Sequence, residues 1–268
     1  GGPMRHPRLR ALAAALACLA SAVPGAARAA DLDLDLYAAL LAEYTQAVDA
    51  TVGTRVDYAG LGREPRWRAL VASLEAATPS ALPTREARLA FWINAYNVLA
   101  IDTVVAHYPV DSIRDVGAGW VRIPGFAPVW KREAARIEGR AISLDGIEHA
   151  TLRPLGEPRI HGAIVCASTS CPSLAREPFR AETLDAQLDA AWRRWMADPR
   201  KGLRVDRAAK RVTTSRILLW FAEDFEAQGG ALAFAARYAS DDDRAWIAAH
   251  DPALAYFDYD WSLNDWRR

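Results

Sequence analysis

Two cysteines five residues apart have the clearest chemical potential of any side chains in this sequence. Cys166 ends an apolar run over residues 160–165, and Cys171 follows a short polar turn. A thiol acts as a nucleophile when a neighbouring base or helix end lowers its pKa. Two nearby thiols can instead form a disulfide or supply half of a zinc site. The residue types and spacing leave these three chemistries open.

A histidine is the side chain that would activate such a nucleophile. His149 is the preferred base and lies on a helix predicted over residues 143–153. His161 is the alternate base, because on a strand predicted over residues 160–166 its side chain would point to the opposite face from Cys166. The same opposition disfavours a zinc site built from both histidines and both cysteines.

Four further polar side chains are candidates to complete the site. Asn94 and Asn97 lie three residues apart on a predicted helix, hence on one face, and one of them would orient the imidazole. Asp145 lies four residues before His149 and is an alternative orienting group. Glu148 is a catalytic candidate, although it points about 100° away from His149 and a solvated surface position is its more ordinary role. For the asparagines, the alternative is structural, because buried amides usually bond the backbone of a neighbouring segment.

Most of the elements that would position these residues are helices. The longest is predicted over residues 85–107, begun by Thr84 and apolar on nearly every side in its middle, so we expect it in the core. Shorter amphipathic helices are predicted over residues 36–48, 65–76, 184–195, 215–225, 231–239 and 242–250. β-Hairpins are predicted within residues 129–142 and 203–214, and an extended tail over residues 255–264.

A glycine- and proline-rich segment over residues 111–140 carries three aromatic side chains, Trp120, Phe126 and Trp130. Irregular segments of this kind often carry binding residues, so the three aromatics are candidates for a substrate-pocket rim. Covering the core is their alternative role.

Residues 1–30 have the pattern of a secretory signal peptide. A basic start precedes a short alanine- and leucine-rich run over residues 12–23, and residues 27–29, Ala-Arg-Ala, match a cleavage site. Residues 1–3 precede the first methionine and are interpreted as an artefact of expression or gene calling. We therefore expect a periplasmic or secreted protein in which Cys166 and Cys171 meet an oxidising environment.

Composition and charge exclude several classes of partner. Residues 1–30 hold four arginines and no acid, so their removal takes the net charge from 0 to −4, which argues against nonspecific nucleic-acid binding. No later apolar run reaches membrane-spanning length. We expect no cofactor and no metal, with a peptide or small molecule as substrate. With 51% apolar residues, we expect residues 31–268 to form a single helix-rich α+β domain with a small central sheet, papain-like or transglutaminase-like.

Four segments, residues 91–97, 142–149, 159–172 and 259–264, together resemble the family catalogued as domain of unknown function 547. The similarity covers nearly all of the chain after residue 30. The resemblance implies little about chemistry, since family members occur as exported bacterial proteins and as C-terminal modules of plant proteins. It implies that the positions of His149 and Cys166 keep their residue types, whereas that of Cys171 is often Ser in plants. The resemblance therefore favours Cys166 as the functional thiol.

Two functions from different classes follow from these residues. The first is an exported cysteine-dependent hydrolase or acyl-transferase acting on a peptide or amide through a Cys/His/Asn site. The second is a noncatalytic periplasmic binding module, in which Cys166 and Cys171 form a structural disulfide.

Overall fold

The structure, a computed structural model, describes Gly2 and residues 31–117 and 128–267. The predicted signal peptide and the predicted rim residues Trp120 and Phe126 lie outside the described residues.

Helices dominate the described part of the chain. The α-helices are α1 (Leu34–Tyr44), α2 (Tyr58–Leu61), α3 (Pro65–Glu75), α4 (Arg85–His107), α5 (Leu184–Met196), α6 (Ile217–Trp220), α7 (Ala231–Ala236) and α8 (Asp241–His250). A π-helix spans Gly146–Leu152, and 3-10 helices include Pro128–Lys131, Pro158–Gly162 and Ala222–Gln228. With the short strands below, they confirm the prediction of a helix-rich α+β fold.

The described strands form three small sheets instead of one central sheet. β1 (Thr45–Ala47) pairs antiparallel with β2 (Thr54–Val56), and β3 (Ala135–Ile137) with β4 (Arg140–Ile142). The third sheet has the order β5 (Leu203–Asp206), β6 (Arg211–Thr214) and β7 (Ala253–Tyr256), antiparallel then parallel. The hairpins predicted within residues 129–142 and 203–214 are therefore both present.

Helix α4 is the centre of the larger hydrophobic core. Its N-terminus is capped by Thr84, whose hydroxyl accepts a hydrogen bond from the backbone N–H of Ala87 at 3.0 Å. Nearly every residue from Leu89 to Ile101 is buried, as its apolar composition predicts. It is the one helix among the described residues that is long and apolar enough to cross a membrane, and most of that apolar stretch is buried inside the protein.

Helix α5 connects the larger core to a second hydrophobic cluster. Leu184 and Leu188 belong to the core around α4, whereas Trp192 and Trp195 belong to a cluster formed with β5, β6, α6, α7 and α8. The indole N–H of Trp192 also donates to the backbone carbonyl of Arg159 at 2.9 Å. One amphipathic helix therefore fixes both clusters relative to the segment that precedes Cys166.

The strand predicted over residues 160–166 is wrong. Residues 158–162 form a 3-10 helix, and the chain from Ala163 to Val165 is irregular. The physical reason lies in α4, where the Asn97 amide takes the carbonyl of Ala163 and the N–H of Val165, backbone groups that a strand would pair with its neighbour. Without a strand, His161 and Cys166 need not point to opposite faces, so the reason for preferring His149 over His161 no longer applies.

Candidate functional site

A pocket of about 210 Å³ brings together most of the residues predicted for the site. The predicted residues in its wall are Trp130, Asp145, Glu148, His149, His161, Cys166 and Cys171. The wall also contains residues that were not predicted: Tyr96, Ile164, Ile217, Trp220, Phe221, Tyr259 and Trp261. Asn94 and Asn97 are not part of it.

The two cysteines are joined by a disulfide in the pocket wall. Cys166 is partly exposed, whereas Cys171 is 2% exposed. Only Cys166 is therefore open to attack from the pocket. This state fits the structural alternative for the cysteines, and it also describes the oxidised form of a reactive pair.

Three hydrogen-bond donors converge on the sulfur of Cys171. The backbone N–H of Cys166 lies 3.1 Å from Cys171 Sγ, the Ser168 hydroxyl 3.3 Å and the Tyr259 hydroxyl 3.2 Å. Tyr259 also lies 3.4 Å from Cys166 Sγ. Burial raises the pKa of Tyr259 above its usual value, so its hydroxyl stays protonated through the neutral range.

His161 is held by a carboxylate and an aromatic ring. Its side chain is 1% exposed, its Nε2 donates to Asp224 at 2.7 Å, and its ring stacks on Phe221 at 4.2 Å between centroids. Burial lowers the pKa of His161, against the opposing effect of the Asp224 carboxylate. The imidazole is therefore neutral at pH 7, with one nitrogen bonded and Nδ1 unprotonated.

Asp224 links His161 in the pocket wall to Arg153. Besides His161, it accepts two hydrogen bonds from the guanidinium of Arg153, both at 2.7 Å. Burial raises the pKa of Asp224, but the bonds from His161 and Arg153 outweigh that effect and lower the pKa well below its usual range. Asp224 is therefore a fixed negative charge.

Glu148 is only partly exposed and lies in the pocket wall, so its predicted role as a solvated surface acid is wrong. Its side chain is 16% exposed and lies 3.8 Å from Nδ1 of His161. Burial raises the pKa of Glu148 to about 7. The positive charge of Arg153 lowers this pKa, and the negative charges of Asp145 and Asp224 raise it further. The reason is the π-helix, whose wider turn presents both Glu148 and its neighbour His149 to the pocket.

His149 lines the same pocket but is held differently. Its side chain is 43% exposed, and Arg153 Nη1 donates to its Nδ1 at 3.0 Å. Its Nε2 lies 3.9 Å from the carboxylate of Asp145, beyond hydrogen-bond distance. The carboxylate-bonded histidine of this site is therefore His161, and the preferred base of the sequence interpretation has a cation as its nearest polar partner.

The two asparagines bond backbone in the way that their structural alternative describes. Asn94 donates to the carbonyl of Phe179 at 2.7 Å and accepts from its N–H at 2.9 Å. Asn97 bonds Ala163 and Val165 at 3.0 and 2.8 Å. Both ends of each amide are occupied, so neither is available to orient an imidazole.

Aromatic side chains form one side of the pocket. Trp130, Trp220 and Trp261 are neighbours, with centroid distances of 6.3 Å between Trp130 and Trp261 and 5.9 Å between Trp220 and Trp261. Trp220 is 47% exposed. Trp130 was predicted as a rim residue, whereas Trp261 lies in the segment read as an extended tail. Its family-like motif, residues 259–264, was the feature that could have identified it.

In the ranges 31–117 and 128–267, no group of three or more His, Cys, Asp or Glu side chains is arranged to hold a metal. The zinc alternative has no further support, because Cys166 and Cys171 are bonded to each other.

Comparison with known proteins gives one family match over part of the chain and no relative of known activity. Residues 79–196 match the family model described as "Protein of unknown function, DUF547". The match contains α4, the π-helix, both cysteines and all of α5, but not Asp224, Tyr259 or Trp261. No curated protein and no solved structure matches the chain, so a papain-like architecture stays a prediction.

Proposed function

Since the family model that residues 79–196 match is described without an activity, we propose a function from the pocket itself. The pocket is the active site of a thiol-dependent hydrolase or acyl-transferase acting on a peptide or amide. Cys166 is the nucleophile. The observation that carries the proposal is that Cys166 and His161 line one pocket and that His161 is hydrogen-bonded to Asp224.

His161 serves as the base in this proposal. An imidazole bonded to a carboxylate through one nitrogen is held in one tautomer and accepts a proton on the other. For His161 the free nitrogen is Nδ1, which faces the carboxyl of Glu148. With a pKa of about 7, Glu148 exchanges a proton in the neutral range and can relay it. His149 is the alternative base.

The thiol needs the Cys166–Cys171 bond to be open. A disulfide sulfur has no thiolate to attack a carbonyl, so the acyl-transfer form is the reduced protein. Replacing Cys171 by Ser gives that form without added reductant.

Alkylation of the Cys171→Ser protein tests the base. Iodoacetamide at pH 7 should modify Cys166 faster than a free cysteine, because a nearby imidazole raises the thiolate fraction. Adding His161→Ala should slow the reaction by about tenfold or more, and His149→Ala much less. The exposed His250→Ala is the matched control. Equal rates in all four proteins, measured by mass spectrometry, would contradict the proposal for His161.

Turnover tests the reaction itself. The Cys171→Ser protein should hydrolyse members of a panel of fluorogenic peptide amides, and Cys166→Ala should abolish the activity. If Cys166 is alkylated fast but no peptide in the panel is hydrolysed in a Cys166-dependent way, the hydrolase proposal is contradicted and the thiol has another chemistry.

A binding module is the second candidate, favoured by the disulfide and by the aromatic wall. In that case Cys166 and Cys171 hold the wall in shape, and Trp130, Trp220 and Trp261 contact the ligand. Binding of peptides by the oxidised protein, measured by tryptophan fluorescence, should then survive Cys166→Ala and fail when the three tryptophans are replaced by alanine. Binding that is lost in Cys166→Ala, or that persists in the triple tryptophan variant, would contradict the binding-module function.

Export is part of the proposal. Its support is the signal-peptide pattern of residues 1–30. Expression of the full chain in a Gram-negative host should give a mature protein in the periplasmic fraction, beginning near residue 30 or 31. An unprocessed protein in the cytosolic fraction would contradict it.

A further inference from the structure

The acyl-transfer mechanism proposed for Cys166 assigns no role to the polar groups around Cys171. Three groups able to donate a hydrogen bond lie 3.1–3.3 Å from Cys171 Sγ: the N–H of Cys166, the Ser168 hydroxyl and the Tyr259 hydroxyl. The Ser168 hydroxyl also donates to that of Tyr259 at 3.1 Å, and both hydroxyls lie slightly farther from Cys166 Sγ, at 3.4 Å. A disulfide sulfur is a weak acceptor, whereas a thiolate is a strong one. These donors therefore stabilise the thiolate that forms on Cys171 when the bond between the cysteines opens.

The two sulfurs also differ in access. Cys166 is partly exposed to the pocket, and Cys171 is buried behind it. An incoming thiolate can reach Cys166 only, and the electrons of the broken bond then go to Cys171. Access and stabilisation thus favour the same direction of cleavage.

A purely structural bond explains these features less well. Cys166 and Cys171 are five residues apart, so their bond closes a short loop and restrains the unfolded chain little. A structural disulfide also gains nothing from an opening to a pocket. We infer that Cys166 and Cys171 are a redox-active pair that exchanges disulfides with a dithiol peptide, an activity distinct from acyl transfer.

The exchange balances in two steps. A substrate thiolate attacks Cys166 Sγ, the Cys166–Cys171 bond breaks, and Cys171 leaves as a thiolate held by Tyr259 and Ser168. The second substrate thiolate attacks the sulfur of the first, and Cys166 leaves as a thiolate. The substrate loses two electrons and gains a disulfide, the protein gains two electrons, and the two substrate protons pass to Cys166 and Cys171 or to solvent.

The wall of the pocket indicates the substrate class. Trp130, Trp220 and Trp261 line one side of a space of about 210 Å³, enough for a cysteine side chain and parts of its neighbours. Aromatic walls favour apolar residues beside the reacting cysteine. We therefore assign a peptide segment with two cysteines and apolar flanking residues, in preference to a small polar thiol.

The experiment uses the oxidised full chain and a reduced synthetic peptide with two cysteines flanked by leucines. The protein should oxidise the peptide one for one, with a mixed disulfide on Cys166 trapped by acid quenching and found by mass spectrometry. Tyr259→Phe should slow the first step by about tenfold, because a hydrogen bond to a charged group is lost. Tyr256→Phe on β7 is the matched control and should react at the wild-type rate.

A second readout separates a role in chemistry from a role in structure. In reduced Cys166→Ala, the thiolate of Cys171, followed by its ultraviolet absorbance, should have a pKa below about 8.5. Adding Tyr259→Phe should raise that pKa. An unchanged pKa, or a disulfide in the folded protein that neither the peptide nor glutathione reduces, would overturn the inference. Faster reduction by glutathione than by the peptide would overturn the assigned substrate class.

The two proposed activities fail separately. Exchange needs both cysteines, so Cys171→Ser should form a mixed disulfide with oxidised peptide but release no reduced peptide. Of the two cysteines, amide hydrolysis needs only Cys166, and it should persist in Cys171→Ser.

Discussion

At Glu148, burial changes the ordinary chemistry of a carboxylic acid. The side chain lies in the pocket wall near His161, Arg153 and Asp224 and has a pKa of about 7. In water a glutamate releases its proton near pH 4.5. The folded protein therefore keeps a proton that the unfolded chain releases, and this difference couples stability to pH.

Replacing Glu148 by Gln should remove a pH dependence of stability. Between pH 4.5 and about 7 the folded chain binds more protons at Glu148 than the unfolded chain, so the free energy of unfolding falls as pH rises. The loss is complete above about pH 7 and amounts to roughly 3 kcal/mol at most. Urea unfolding at pH 5 and pH 8 should show Glu148→Gln gaining stability relative to wild type at pH 8.

Charged and polar neighbours also affect the pKa of Glu148, so the urea experiment includes a control for general charge. Asp145, Arg153, Asp224, Tyr96 and Tyr259 all act on it electrostatically. Glu223→Gln, which alters an exposed acid next to Asp224, is the control and should change stability little at either pH. An equal shift in both variants would show that general charge, and not burial of Glu148, is the cause.

At the scale of elements, α4 positions the cysteine segment through its two amides. Asn94 fixes Phe179, and Asn97 fixes Ala163 and Val165, the last residue before Cys166. Each amide therefore replaces backbone pairing that a strand would supply. The helix sets the direction in which the chain reaches the pocket, although the Asn94 and Asn97 side chains do not line the wall.

Replacing Asn97 by Ala should destabilise the protein and loosen the site. The backbone groups of Ala163 and Val165 lose buried partners, which costs about 2–4 kcal/mol in the free energy of unfolding. Urea denaturation measures this loss, and Gln46→Ala on the exposed face of β1 is a control that should cost less than about 0.5 kcal/mol. A catalytic asparagine would instead lower activity with stability unchanged.

At the scale of the whole molecule, the close contact between Gly162 and Trp192 joins the pocket segment to the second cluster. A Cβ at position 162 would lie 2.6 Å from the indole Nε1 of Trp192. Trp192 is fully buried and is itself bonded to Arg159. Neither the Gly162 backbone nor the Trp192 ring can move without disturbing one of the two hydrophobic clusters.

Replacing Gly162 by Ala should therefore destabilise the molecule by about 1–3 kcal/mol through overpacking. Gly62→Ala is the matched control, because its Cβ would meet its nearest neighbour at an ordinary 3.5 Å. Thermal unfolding followed by near-ultraviolet circular dichroism should show a lower midpoint for Gly162→Ala only. Equal midpoints would mean that Trp192 relaxes freely.

The sequence by itself determined the helices, the hairpins and the identity of several pocket residues. Periodic apolar positions and the Thr84 cap predict α4, because those features act within one helix. The motifs around His149 and Cys166 directed attention to side chains that do line the pocket. Residue type and local spacing were sufficient for these predictions.

Tertiary structure decided the partners of those residues. The Asn97 amide bonds backbone groups that a strand would pair, so the segment before Cys166 is irregular. The π-helix directs the Glu148 side chain towards the pocket. Asp224 and Tyr259 reach the site from positions 63 and 93 residues away from His161 and Cys166 in sequence. No local pattern encodes such contacts, since they depend on how distant helices pack and on which buried polar groups must be satisfied.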